Sequence, residues 1–136
     1  MERNIKILDT NILLDFPQIV TKYNEYFIIP MAVLMEIDGL KLNKSPEVAQ
    51  KARKAAVYIC KNMDNIEWDL TQDPTKSVDS ILLQITKEQN GVLITNDVSL
   101  KVRAKIENVP VEGYSWSDDY CGIVYMNVSD YDMSFD

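Results

Sequence analysis

Five short, largely apolar runs, at residues 5–8, 27–29, 66–68, 92–95 and 109–111, alternate with stretches whose apolar residues recur at helical spacing. No other feature constrains the fold of this chain as strongly. Runs of that length read as buried strands. Strands that alternate with helices imply an α/β fold, because a helix returns the chain across a parallel sheet. At 136 residues the chain has the length of one domain. Its apolar fraction of 46% is enough for a core of its own, without a disulfide or structural metal.

Local signals place the helices. Ser45, Pro46 and Glu47 read as an N-cap, a first helical position and a first-turn acid, with the helix running through Ala49, Ala52, Ala56 and Ile59 to about Asn62. Pro30 suits the first turn of a helix striped by Val33, Leu34, Ile37 and Leu40. A third helix opens at Asp73 or Ser77, carries Val78, Ile81, Leu82 and Ile85, and is ended by Gly91. Residues 98–106 form a fourth. Residues 12–16 read as an apolar patch stopped by Pro17, with a short helix over 18–25. Pro110 assigns the last strand to a sheet edge.

Composition excludes several chemistries. The chain has no histidine, which removes Ser-His-Asp and Cys-His catalysis and HExxH zinc sites. Its two cysteines, Cys60 and Cys121, are too few for a four-thiolate zinc site and form no CxxC. Free thiols in a reducing, cytoplasmic setting are expected, with no signal peptide and no membrane span. Catalysis therefore falls to the 21 carboxylates.

The net charge of −7 argues against a polyanionic partner, but the charge is uneven. Residues 113–136 hold Asp118, Asp119, Asp130, Asp132 and Asp136 and no base. Residues 41–61 hold Lys41, Lys44, Lys51, Arg53, Lys54 and Lys61 against Glu47 alone.

Two acids, Asp9 and Asp97, directly follow apolar strands. Open parallel sheets bind ligands outside the carboxyl ends of their strands, where the strand order reverses. Asp79, near the start of the third helix, can join them. So can one acid from the helix after Pro30, where periodicity separates Glu36 from Asp38 poorly. Each acid alone also has a structural reading, Asp97 as an N-cap and Asp79 as a complement to the helix dipole. Four carboxylates gathered without a cation cannot all stay ionised, so the set points to Mg²⁺ or Mn²⁺. A carboxylate cup of that kind suits hydrolysis of a phosphodiester.

These motifs resemble those of PIN-domain ribonucleases. Ile7-Leu8-Asp9-Thr10-Asn11 is similar to that family's opening strand and DTN signature. Ile29-Pro30 running to Glu36-Ile37, then Asp79-Ser80-Ile81-Leu82, then Leu93-Ile94-Thr95-Asn96-Asp97 follow in the family's order. Three details resemble the PIN domain attached to PhoH-like ATPases: residues 36–41, residues 52–55 and residues 109–114. No GxxxxGK[ST] loop occurs in the chain. Whether it stands alone, as in small phage proteins, or is a domain of a longer protein stays open.

The resemblance implies a three-layer α/β/α fold, with a five-stranded sheet in the order 3-2-1-4-5. It implies metal-dependent cleavage of single-stranded RNA, leaving 5′-phosphate and 3′-hydroxyl ends. By position, Asp9, Glu36, Asp79 and Asp97 become the catalytic, metal-holding acids, which selects Glu36 over Asp38. Asn11 and Thr95 become residues that orient a carboxylate or a phosphate. Lys44, Arg53, Lys54, Lys101 and Arg103 are the candidate RNA contacts. The nuclease domain is expected over residues 1–114. Residues 115–136 then form an acidic extension, either a linker or an edge strand at 122–128. The competing reading is a PIN-fold RNA-binding or scaffold module with little nuclease activity, working with a PhoH-like ATPase partner. A toxin of a toxin–antitoxin pair fits the acidic composition poorly, and a phosphotransferase with Asp9 as nucleophile lacks the second Asp of a DxD. Homo-oligomers are a further possibility, with residues 12–16 or the extension as the apolar contact.

Overall fold

The computed structural model describes residues 4–22 and 24–115. The acidic extension, with its expected edge strand at 122–128, lies outside the described residues. Strand β1 (Ile5–Leu8) leads into helix α1 (Thr10–Asp15) and a 3-10 turn (Pro17–Thr21). Strand β2 (Tyr26–Pro30) runs without a loop into helix α2 (Met31–Leu40). Helix α3 (Pro46–Lys61) precedes strand β3 (Ile66–Asp69). Helix α4 (Val78–Gln89), strand β4 (Val92–Ile94), helix α5 (Val98–Ile106) and strand β5 (Val111–Glu112) complete the described fold.

The five strands form one parallel sheet in the order β3-β2-β1-β4-β5. Ile7 faces Ile28 on one side and Leu93 on the other. The chain winds outward from β1 to β3, then crosses back to β4 beside β1. Right-handed crossovers therefore place α1, α2 and α3 on one face and α4 and α5 on the other. The strand order reverses between β1 and β4, with Asp9 and Asp97 just beyond those two strands.

The central strands are buried on both faces, with Ile7, Leu8, Phe27, Ile28, Ile29, Leu93 and Ile94 in the core. That is why their sequences read as continuous apolar runs. On α3 the buried stripe is Ala49, Ala52, Ala55 and Ile59, whose small side chains let the helix approach its neighbours closely.

Three local expectations are corrected. The apolar patch at 12–16 is not a surface, because Ile12, Leu13 and Phe16 are buried in α1 and just after it. Of its apolar side chains only Leu14 is half-buried rather than buried. The helix expected at 18–25 is only the 3-10 turn, entered through Pro17. Gly91 does not end α4 through its backbone freedom. Asn90 takes the left-handed conformation (φ 53°) and caps the helix. Gly91 is instead needed for close approach: a Cβ there would stand 2.6 Å from Ile7 Cδ1 and 2.9 Å from the Ile5 carbonyl oxygen.

Candidate active site

The site is assembled at the carboxyl ends of β1 and β4. Asp9 leaves β1 and caps α1, its Oδ1 accepting the Thr10 N–H at 2.7 Å. Its Oδ2 accepts the Thr95 hydroxyl at 2.6 Å. The residue is only 5% exposed. Burial pushes the Asp9 carboxyl above its ordinary value, and the charges of Asp79 and Glu36 push it further. The two hydrogen bonds oppose that shift.

Thr95 ties two of the acids together. It is fully buried, and its hydroxyl oxygen also accepts the Asp97 N–H at 3.0 Å. Asp97 caps α5, its Oδ1 accepting the N–H groups of Ser99 and Leu100 at 2.9 and 3.3 Å. One carboxylate oxygen is thus committed to the helix end, and Oδ2 is left for another partner.

Glu36 lies in the second turn of α2. Its Oε1 accepts the Thr10 hydroxyl at 2.5 Å, which turns the carboxylate toward Asp9. Asp38 points away: its side chain is 73% exposed and pairs with Lys41 at 3.1 Å. Of the two acids that periodicity separates poorly, Glu36 is the one that stands beside Asp9 in the structure. Asp79 stands in the first turn of α4, behind the Ser77 cap. Burial raises its carboxyl above the ordinary value, as do the charges of Asp97 and Glu36, while Arg103 pulls it down.

Asp9, Glu36, Asp79 and Asp97 thus share one electrostatic neighbourhood at the switch point of the sheet. Among the described residues, none of them is in an ion pair. The donor chemistry fits a hard divalent cation, being carboxylate oxygens whose mutual repulsion such an ion would relieve. Among the described residues no three acids stand close enough to hold an ion as they are. Binding one requires the side chains to close in around it.

The basic candidates divide. Arg103 stands beside the acids, donating to Ser80 Oγ at 2.9 Å and to Glu107 at 3.1 Å while acting on Asp79. Lys101 lies near the loop after β4, its Nζ 2.8 Å from the place a Cβ of Gly113 would take. Lys44, Arg53 and Lys54 are exposed on α3 and its approach, and Arg53 donates to the Lys41 carbonyl at 3.4 Å. No described contact joins these three to the carboxylates.

Asn11 does not orient a carboxylate: it is exposed on α1 and makes no side-chain hydrogen bond among the described residues. Thr10 does that work, and the motif reading passed over it. Its signal was a hydroxyl next to a strand-end acid, on the first residue of a helix, where its own backbone N–H is already capped. Asn96 was also missed. Its amide clamps Tyr114 in both directions, at 2.9 and 2.8 Å, and so fixes the segment after β5 to the rim of the site.

A model of the PIN domain family matches residues 6–115. No curated protein matches the chain in sequence. Several solved structures share its fold. A domain of a functionally unknown protein from Methanocaldococcus jannaschii is 16% identical with a TM-score of 0.63, covering 82% of this chain and 91% of its own. The PIN domain endonuclease Utp24 is 19% identical with a TM-score of 0.59, covering 82% and 85%. The PIN domain of human SMG5 is 22% identical with a TM-score of 0.54, covering 80% and 92%.

Proposed function

This chain belongs to the PIN domain family, and on that premise we propose that it is a divalent-metal-dependent ribonuclease that hydrolyses phosphodiester bonds of single-stranded RNA. The observation that carries the reading is the gathering of Asp9, Glu36 and Asp79 without an ion pair among the described residues: burial, chiefly, and then the charges of Asp79 and Glu36 hold the Asp9 carboxyl above its ordinary value. A binding module has no need to bear that repulsion. The endonuclease Utp24 shares the fold, which is consistent with the reading.

Asp9, Glu36, Asp79 and Asp97 are the residues that would hold Mg²⁺ or Mn²⁺. When bound, such ions lower the pKa of water and stabilise charge on the leaving oxygen. The chain itself supplies orientation. Thr95 keeps Asp9 fixed and ionisable, and Thr10 holds Glu36 toward it. The two helix-end N–H groups bonded to Asp97 hold that carboxylate in one rotamer. Arg103 and Lys101 stand at the rim, where phosphates flanking the scissile one would lie. Asn11, exposed on α1, is assigned to a phosphate rather than to a carboxylate.

The second reading is an RNA-holding module that serves a PhoH-like ATPase. It is favoured by the overall charge of −7 and by the distance of Lys44, Arg53 and Lys54 from any described contact with the acids. Incubating labelled single-stranded RNA with the protein and Mn²⁺, Mg²⁺ or a chelator separates the two readings. Metal-dependent cleavage with 5′-phosphate products supports the nuclease. Metal and RNA binding without turnover supports the module.

A further inference from the structure

Away from the carboxylates, α2, α3 and β3 enclose an open apolar groove of about 570 Å³. Met31 and Leu34 form one wall, Ile59 and Cys60 a second, and Trp68 and Leu70 the third. Leu70 is 68% exposed and Met63, at the end of the groove, 48%. Large apolar side chains this open, gathered on one face, mark a surface that something covers. The indole N–H of Trp68 is also buried there without an acceptor among the described residues.

The flank of the groove is basic. Arg53, Val57 and Lys61 follow each other at i,i+4 spacing on α3, in the row next to Ala56 and Cys60 of the groove wall. Lys54 adjoins that row. Among the described residues Arg53, Lys54 and Lys61 enter no ion pair. The occupant that fits is an apolar segment carrying acids.

We propose that residues 116–136 of this same chain dock in the groove, with the apolar run 122–128 over Trp68 and Leu70 and its flanking acids toward α3. That segment carries five acids and no base, and between them lie Ile123, Val124, Tyr125, Met126 and Val128. The last described residues turn from β5 back toward α1, where Tyr114 packs on Phe16 with ring centroids 5.4 Å apart, so across the sheet the segment starts closer to β3 than the four strand spacings, about 19 Å, that separate β5 from β3. The seven residues 116–122 span up to about 23–25 Å when extended, so 122–128 reaches the groove. The carboxylate site is nearer, but it repels a chain of the same sign. A tail held on α3 also neutralises the basic residues 41–61 and keeps them from any polyanion.

The full chain contains two thiols, Cys60 in the groove wall and Cys121 beside the docking run. A short bis-maleimide should therefore give an intramolecular Cys60–Cys121 link, absent from Cys60→Ser and from Cys121→Ser. The link should form about tenfold more slowly when Arg53, Lys54 and Lys61 are all reversed to Glu, the combined weight of several exposed charge pairs. It should also slow in Leu70→Asp. All four positions are exposed, so the variants keep the fold, which circular dichroism checks. Linking at the same rate in every variant would show a tail that merely collides with Cys60 and would overturn the proposal. Links only between chains, rising with concentration, would overturn it in favour of a second copy as occupant.

Discussion

Replacing Thr95 with valine removes one oxygen atom from a fully buried position and should cost far more than its size suggests. Valine fills nearly the same volume, so the cost is polar. The hydroxyl donates to Asp9 Oδ2 at 2.6 Å, a short bond to a buried carboxylate, worth about 1.5–3 kcal/mol. The same oxygen accepts the Asp97 N–H at 3.0 Å, and losing that acceptor adds about 1 kcal/mol. The variant should be less stable by about 2–4 kcal/mol at pH 7, or about 8–16 °C in Tm for a domain of this size. Urea denaturation in the presence of a chelator measures it. The bond to Thr95 lowers the Asp9 pKa, so its loss raises that pKa further above the ordinary value. The deficit should then shrink as pH falls through these raised values, because a protonated Asp9 loses only a neutral hydrogen bond. Thr95→Ser should keep most of the stability. A deficit below about 0.5 kcal/mol at pH 7, or one that is the same at pH 4, would refute the argument.

Asp79 is held above its ordinary pKa by burial and by Asp97 and Glu36, so its ionised form opposes folding. Asp79→Asn should stabilise the metal-free protein at pH 7 by a few tenths of a kcal/mol, a small gain because the carboxylate is only partly buried and solvent screens its neighbours' charges. That gain should vanish as pH falls below the ordinary carboxylate range, and thermal melts across pH would detect the trend or its reverse. Mn²⁺ at about a hundred times its Kd should stabilise the wild type by about 2.7 kcal/mol and Asp9→Asn by much less. Equal shifts in calorimetry would place the ion elsewhere. Gly91→Ala should cost about 2–3 kcal/mol in urea, because the added methyl meets the Ile5 carbonyl oxygen at 2.9 Å, where the backbone cannot yield cheaply.

The sheet was legible because β1 and β4 sit at its centre, buried on both faces, and so carry apolar residues almost without interruption. Asp9 and Asp97 were legible for the same reason, as the first acids past those strands. Glu36 was legible from the motif resemblance but not from periodicity, since it and Asp38 flank the same apolar stripe. What separates them is the rotation of α2 against α1, which gives Glu36 the Thr10 hydroxyl and Asp38 the solvent and Lys41. Thr10 itself was hidden because a buried threonine at a helix start looks like ordinary packing. Gly91 was misread because a glycine after a helix most often serves as its cap, whereas here Asn90 takes that role and the missing Cβ lets β1 come close. The basic side chains have no periodic signature, so the candidate RNA contacts grouped Lys44, Arg53, Lys54 and Lys101 with Arg103, although only Arg103 has a described interaction with an acid of the site.

The most direct test of the nuclease reading compares wild type with Asp9→Asn on labelled single-stranded RNA at saturating Mn²⁺, with folding of both proteins checked by circular dichroism. Cleavage that is abolished by a chelator and falls at least about a hundredfold in the variant, some 2.7 kcal/mol in the barrier, is the predicted result. Cleavage that persists at the wild-type rate in Asp9→Asn, or a wild type that binds Mn²⁺ and RNA but never cuts, would contradict it.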